Sequence, residues 1–211
     1  MAEPLLLLRP EGSRDRDGPI QPDIDPAVEV IAGQYGDAWY TGDGGFVMYD
    51  IPSWPGLGGT VLGRGRMPAY PVSGGVQLLA LIGASLANGV MALNGTDLVT
   101  EFGGGNIFSP MPTSGANWHV HAATFGGTVA HQFLNGELLA SDAYQEESGP
   151  GTLYLGIPQR SRSYDVESLV IFDEVLSDED IHYISTMPEA WTWENLQGTT
   201  QRETYRAMIV G

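Results

Sequence analysis

Two histidines, His119 and His121, stand one residue apart in the stretch "WHVHAATF". In a β-strand, residues two positions apart point to the same face, so the pair has the spacing of two zinc ligands. A zinc site needs at least one further ligand, and His131 on the next predicted strand is the only plausible addition. We therefore predict that the histidines pack or hydrogen-bond within a sheet, and that the chain holds no metal there.

The acidic residues do not form the pairs that hydrolysis of a glycosidic bond requires. That reaction needs two carboxylates about 5 to 10 Å apart on either side of the bond. Asp142, Glu146 and Glu147 fall in a predicted loop, and the carboxylates at 178–180 are explained as the first turn of a helix. The sequence also lacks a Gly-X-Ser-X-Gly elbow and a phosphate-binding glycine loop ahead of a helix. It predicts no catalytic residues and a protein that is not an enzyme.

Aromatic residues are the other candidates for binding, because sugar sites stack rings on tryptophan or tyrosine. Four lie in irregular regions, where they either form a glycan-binding surface or fill gaps between sheet and loops: Trp39, Tyr40, Trp54 and Tyr70. Trp191 and Trp193 alternate in a C-terminal stretch that we predict to be extended, so both rings share one face. That face docks either onto a partner or back onto the domain.

The composition restricts the partners of the chain. The formal net charge is −17, the pI is near 4.3, and only nine residues are basic. Nucleic acid phosphates would be repelled, so we expect no nucleic acid partner. Cysteine is absent, which excludes disulfides and thiolate metal sites. The four leucines near the start are too few for a signal peptide or a membrane span, so we expect no membrane partner.

The elements that carry these residues are mostly strands. Alternating apolar positions begin near Val76, and the pairs Asn94-Gly95 and Asn135-Gly136 are typical of type I′ hairpin turns. The runs "GTLYLGI" and "ESLVIF" add two strands. The period then changes, and Ser177 is the predicted N-cap of one short helix.

We divide the chain into three parts. Residues 1–26 show no period of 2 or 3.6 and are predicted to be an extended N-terminal arm, residues 27–187 a sandwich domain, and residues 188–211 a C-terminal tail. An extended arm binds by adding backbone pairs to a sheet edge. The predicted partner contacts are Leu5, Leu6, Leu7, Leu8 and Arg9 in the arm and Trp191 and Trp193 in the tail.

The order "WHVHAATF", "LNGELLAS", "GTLYLGI" and "SLVIFDEVLSDEDI" resembles the laminin G-like, concanavalin A-like jelly-roll family. The match covers roughly residues 76–184, and its closing strand-to-helix motif is fairly specific. The resemblance implies an all-β fold, a jelly-roll sandwich of two antiparallel sheets with one short helix after the last core strand. It also implies that Trp118 is buried in the core.

Some members of this family bind glycans or calcium, and others have no known ligand. Calcium would use loop carboxylates, for which Asp43 in "TGDGG" and Asp97 in "NGTD" are candidates, although neither loop has a complete ligand set. The Glu-X-Asp-X-X-Glu pattern of jelly-roll hydrolases is missing from the strands. A fold of this kind therefore leaves the function to be decided by its surfaces.

A jelly roll with a polar arm and an aromatic tail, and without catalytic residues, fits a structural component of an assembly. By analogy we predict a non-catalytic virion protein, a bacteriophage capsid decoration or tail-associated protein. It would be made in the host cytoplasm, lie on the virion surface, form a homo-oligomer and contact other virion proteins. The alternative is a glycan-binding adhesion module that attaches to a cell surface, with a surface glycan as partner.

Overall fold

The computed structural model describes residues 3–42, 45–51, 58–67, 76–82, 90–94, 96–102, 105–111, 116–143, 151–156 and 164–197. These stretches contain seventeen strands and two helices. The strands are β1 (Leu6–Leu8), β2 (Arg14–Asp15), β3 (Gly18–Pro19), β4 (Asp23–Ile24), β5 (Glu29–Ala32), β6 (Asp37–Tyr40), β7 (Val47–Ile51), β8 (Gly58–Arg66), β9 (Val76–Ile82), β10 (Val90–Asn94), β11 (Asp97–Phe102), β12 (Gly105–Pro110), β13 (His119–Gly126), β14 (Val129–Leu134), β15 (Glu137–Ala143), β16 (Gly151–Leu155) and β17 (Asp165–Phe172). The helices are α1 (Asp178–Thr186) and α2 (Trp193–Leu196).

The strands form two antiparallel sheets, as the sequence predicts. The large sheet has ten described strands in the order β15-β14-β13-β8-β17-β1-β2-β3, and β6 pairs with both β17 and β5. The small sheet has seven described strands in the order β12-β11-β10-β9-β16-β7-β4. The fold class is therefore confirmed as an all-β sandwich, with two short helices where one was predicted.

One hydrophobic core lies between the sheets. Leu8, Phe125 and Ile171 of the large sheet belong to the same buried cluster as Leu98 and Leu153 of the small sheet. Alternate residues of each strand face this layer.

A second core covers the outer face of the large sheet. Leu62 and Phe133 point away from the small sheet and pack with Ile181 of α1 and with Trp191 and Trp193. The centre of the large sheet is thus buried on both faces, and every residue of β17 is buried. Neither helix in the described part of the chain has the length and hydropathy to cross a bilayer.

Local signals fix the turn and the helix next to this second core. Asn135 and Gly136 both have positive φ, 51° and 84°, the backbone that a type I′ turn requires. The Ser177 hydroxyl accepts a hydrogen bond from the Asp180 N–H at 3.2 Å, so the predicted N-cap of α1 is confirmed. α2 begins in the same way after Thr192.

The N-terminal arm predicted for residues 1–26 is corrected by the structure. Strand β1 lies inside the large sheet between β17 and β2, with Leu6 paired to Ile171 and Leu8 to Leu169. Its three leucines are at most 1% exposed. The segment shows no alternation in sequence because its strand is covered on both faces, so the sandwich begins before residue 27.

Candidate functional site

Four side chains form a row at one end of the outer face of the large sheet. Asp165 is paired in register with Tyr40 of β6 on one side and with Arg66 of β8 on the other. The Arg66 guanidinium carbon lies 4.9 Å from the centroid of the Trp118 ring, just before β13. We call Tyr40, Asp165, Arg66 and Trp118 the aromatic row.

The charges in the aromatic row are tightly held. Arg66 Nε donates to Asp165 Oδ2 at 2.7 Å, and Asp165 is 1% exposed. Burial raises the pKa of the Asp165 carboxyl, and the adjacent Arg66 guanidinium opposes that rise. Asp165 Oδ1 is buried and has no hydrogen-bond partner among the described residues.

The row nevertheless keeps groups that a ligand can reach. Tyr40 and Trp118 are both partly exposed, and about a third of the Arg66 side chain, 34%, is accessible. Guanidinium donors beside aromatic rings are a combination that binds sugar hydroxyls while a ring stacks on the apolar face of the sugar.

A buried arginine supports the neighbouring part of this face. Arg64 is 1% exposed, and its guanidinium carbon lies 4.7 Å from the Tyr35 ring centroid and 4.5 Å from that of Trp191. It donates to the carbonyls of Glu189 and Met187 at 3.0 and 3.3 Å. Burial lowers the pKa of Arg64 to about 10, which leaves it charged at neutral pH.

Arg64 and its neighbours place one more aromatic ring beside the row. The Tyr35 N–H donates to buried Glu167 Oε1 at 2.5 Å, and the Tyr35 side chain is 40% exposed. Arg64 and Arg66 are two apart on β8 and share a face, so Tyr35 lies next to the aromatic row. The tyrosine is therefore a further exposed ring on the same surface.

The predicted glycan candidates have different outcomes. Trp39 is 1% exposed and belongs to the core between the sheets, so its assignment to a binding surface is wrong. Tyr40 belongs to the aromatic row, whereas Trp54 and Tyr70 lie outside the described residues. The prediction that Trp118 is a core residue is also corrected, because Trp118 stays partly exposed at the end of the sheet.

The predicted partner contacts fold into the chain's own core. Leu6, Leu7 and Leu8 are buried in β1, and Leu5 packs against the same core. Arg9 Nη1 donates to the Trp191 carbonyl at 2.7 Å.

In the tail, Trp191 and Trp193 are 1% and 5% exposed against the outer face of the large sheet. Of the two alternatives for these rings, the structure shows docking onto the domain itself.

The histidines of "WHVHAATF" both point into the layer between the sheets. His121 Nε2 lies 2.8 Å from Thr100 Oγ1, and His119 contacts the Tyr164 hydroxyl. Burial lowers their pKa values to about 4 for His119 and about 3 for His121. His131 is on the opposite face of the sheet, 2.6 Å from Ser141 Oγ, so it cannot complete a site with them.

The sequence predicts no cofactor, with two loops as candidates for calcium. Among the described residues no group of three His, Asp or Glu side chains is placed to hold a metal ion. Asp97 begins β11 opposite Asn94, and Asp43 lies outside the described residues. The absence of a cofactor stays a prediction.

Sequence reasoning missed Arg66 and Asp165. The four members of the aromatic row come from positions 40, 66, 118 and 165, so no local spacing brings them together. One local signal was present, because the "GRGR" run places Arg64 and Arg66 on one face of a strand between two small residues. Arginines at alternate positions of a glycine-rich run indicate a strand that carries both side chains on one face.

Comparisons with known proteins give a fold but no sequence family. No protein-family model matches the chain, and no curated protein matches it. Among solved structures, it is similar to the binding domain of Paraclostridial Mosquitocidal Protein 1, with a TM-score of 0.68 and 11% identity over 87% of this chain and 51% of that one.

Two botulinum neurotoxin structures are also similar. The serotype D ligand binding domain in complex with N-acetylneuraminic acid has a TM-score of 0.71 and 13% identity over 87% of this chain and 50% of that one. A type C structure, whose description ties cell entry to interaction with two ganglioside molecules, has a TM-score of 0.71 and 12% identity over 89% of this chain and 51% of that one.

These likenesses define the class of fold. The chain has the two-sheet β fold found in these toxin binding domains, and it spans about half their length. The matched proteins are described as binding domains rather than catalytic ones. The comparison lends no support to a phage origin.

Proposed function

We propose that the protein is a non-catalytic glycan-binding domain, and that it binds its sugar at the aromatic row. The observation that carries this proposal is the cross-strand placement of Asp165 and Arg66 between two partly exposed rings, Tyr40 and Trp118. The strands hold these groups in fixed positions, so little conformational freedom is lost when a sugar binds.

The chemistry of the row fits recognition and not hydrolysis. Asp165, in the row, and Glu167, which binds the Tyr35 N–H beside it, are both buried, at 1% and 4% exposure. Arg66 engages the first, and the Tyr35 N–H engages the second. Neither carboxylate is open to a bond that has to be cut, whereas the rings and the Arg66 donors are accessible.

The structural neighbours support the same class of function. Two of them are described with N-acetylneuraminic acid and with gangliosides, which are sugars or carry them. That ligand information belongs to domains about twice as long as the matched region. It supports a carbohydrate ligand as a class and not a particular sugar.

The predicted virion role loses two of the features on which it was based. It drew on an arm around Leu5 to Arg9 that contacts partners and on an aromatic tail around Trp191 and Trp193. Both segments are integrated into the chain's own sheet and second core. We therefore propose the adhesion role, attachment to a surface glycan, in place of capsid decoration.

A glycan array with purified protein tests the proposal. We expect a set of saccharides to bind, and Trp118→Ala to weaken that binding at least about tenfold, because contacts with a central aromatic ring dominate such interfaces. The matched control is Phe108→Ala, which removes a 54% exposed ring from the small sheet. Equal binding by both variants, or an array without any bound saccharide, would contradict the proposal.

A further inference from the structure

A cleft separate from the aromatic row lies where the N-terminal strands meet α2. Its volume is about 360 Å³, and Leu7, Arg9, Arg14, Pro19, Trp193 and Glu194 are among the residues that line it. The cleft joins β1 to the second core, so its walls belong to folded elements of the large sheet and its cover.

Arg14 differs from the other described arginines in its lack of an anionic partner. Arg9 pairs with Glu11, Arg16 with Asp173, and Arg66 with Asp165. The guanidinium of buried Arg64 is bound by two carbonyls. Arg14 has no carboxylate or carbonyl acceptor among the described residues, in a chain with 26 acidic and nine basic side chains.

The unpaired guanidinium is held in a fixed position. Its central carbon lies 5.2 Å from the Trp193 ring centroid, and its Nε is buried without a hydrogen-bond partner. A guanidinium that lies over an indole ring keeps N–H donors available for hydrogen bonds to a ligand. Because Arg14 lines the cleft, it can offer these donors to a ligand bound there.

We propose that this cleft binds the carboxylate of an acidic sugar, a uronate, through Arg14. A planar guanidinium matches a carboxylate in a two-point hydrogen bond. A neutral sugar would need an open aromatic face, but Trp193 is 5% exposed and Arg14 lies over its ring. Glu11 and exposed Glu194 line the same cleft, where carboxylate oxygens accept from sugar hydroxyls and repel a dianionic phosphate more strongly than a singly charged uronate. The choice of a sugar rests on the proposed function.

Nuclear magnetic resonance of the full chain tests the proposal, with free galacturonate and galactose as probes. The indole N–H signals of Trp193 and Trp118 report on the cleft and on the aromatic row separately. We expect galacturonate to shift the Trp193 signal in a saturable manner and galactose to leave it unchanged. Arg14→Gln should weaken galacturonate at this site at least tenfold, and Arg14→Lys should retain part of the binding because it keeps the charge.

The outcomes separate this inference from the proposed function. Trp118→Ala should leave the galacturonate response of Trp193 unchanged, since the row and the cleft share no residue. A Trp193 signal that does not respond to galacturonate, or responds equally to galactose or in Arg14→Gln, overturns the cleft site. If acetate binds as tightly as galacturonate, the cleft recognises only a carboxylate, and the proposal of a sugar ligand is overturned. A Trp118 signal that responds to no saccharide, while Trp193 still responds to galacturonate, overturns the aromatic row and leaves the cleft site unaffected.

Discussion

The basic residues of this protein are all arginines, and their positions show why lysine would not replace them. Arg64 and Arg14 stack on aromatic rings, and Arg16 makes a two-point contact with Asp173 at 2.5 and 2.6 Å. Stacking and forked hydrogen bonds both need a planar group, which an ammonium lacks. In a chain of net charge −17, positively charged side chains are few, and most of the described arginines bind a specific partner.

The buried histidines differ from the arginines, which are charged, because the fold keeps the histidines neutral. His119 and His121 lie between the sheets, and His121 Nδ1 has no hydrogen-bond partner among the described residues. A charge there would lie in a medium of low dielectric, so burial depresses both pKa values. The unfolded chain has no such restriction and titrates near the ordinary value for histidine, about 6.5.

We therefore expect stability to fall as the pH is lowered from 6.5. The folded histidines have pKa values of about 4 and about 3, so the unfolded state binds protons that the folded state does not. Each histidine should reduce the free energy of unfolding with a slope that rises toward about 1.4 kcal/mol per pH unit as the pH falls from 6.5 to 5. Urea unfolding between pH 5 and 6.5 measures the slope, above the range where most carboxylates titrate.

A pair of variants assigns that slope to the buried site. His121→Gln keeps a polar group that can reach Thr100 and should remove about half of the slope. His182→Gln, on the exposed surface of α1, should leave it unchanged. A slope in His121→Gln as steep as in the unchanged protein would show that the buried histidine does not cause it.

At the scale of the elements, the turn between β14 and β15 joins two layers. Gly136 has φ of +84°, and a Cβ placed on it would lie 2.7 Å from the Cα of His182 in α1. The turn therefore touches the helix that covers the second core. Gly127, in the turn between β13 and β14, has φ of +62° and nothing within 4 Å of its added Cβ.

These two glycines make a matched test of that contact. Gly127→Ala should cost about 1–2 kcal/mol, the penalty of a left-handed backbone for a residue with a Cβ. Gly136→Ala should cost at least about 1 kcal/mol more, because α1 must also move away from the turn. Urea midpoints compare the two variants, and equal losses would mean that α1 does not rest on this turn.

At the scale of the whole molecule, some features could be predicted from sequence and others could not. The hairpin at Asn135-Gly136 and the cap at Ser177 depend on a few adjacent residues, so local patterns predict them. Strand β1 carries no alternation because both its faces are buried, and a run of leucines there indicates burial without indicating a strand. The aromatic row could not be predicted for another reason, because Arg66 and Asp165 come together only when β8 and β17 pair.

The position of β1 leads to a prediction about the N-terminal residues. Deleting residues 1–8 removes three leucines that are at most 1% exposed and opens the β17 edge with which they pair. Each buried leucine contributes about 1.5–3 kcal/mol, so the loss is comparable to the whole stability of a domain, about 5–15 kcal/mol. We expect the truncated chain to lose its near-ultraviolet circular dichroism and its cooperative urea transition.

A single substitution measures how much β1 contributes to the stability of a protein that still folds. Leu7→Ala should lower the free energy of unfolding by about 2–5 kcal/mol, because Leu7 packs in the second core beneath α1 and the tail. Leu138→Ala, at a position 49% exposed on β15, is the matched control and should change it by less than about 1 kcal/mol. A truncated chain that still unfolds cooperatively, with Leu7→Ala as mild as Leu138→Ala, would mean that these residues are a detachable arm after all.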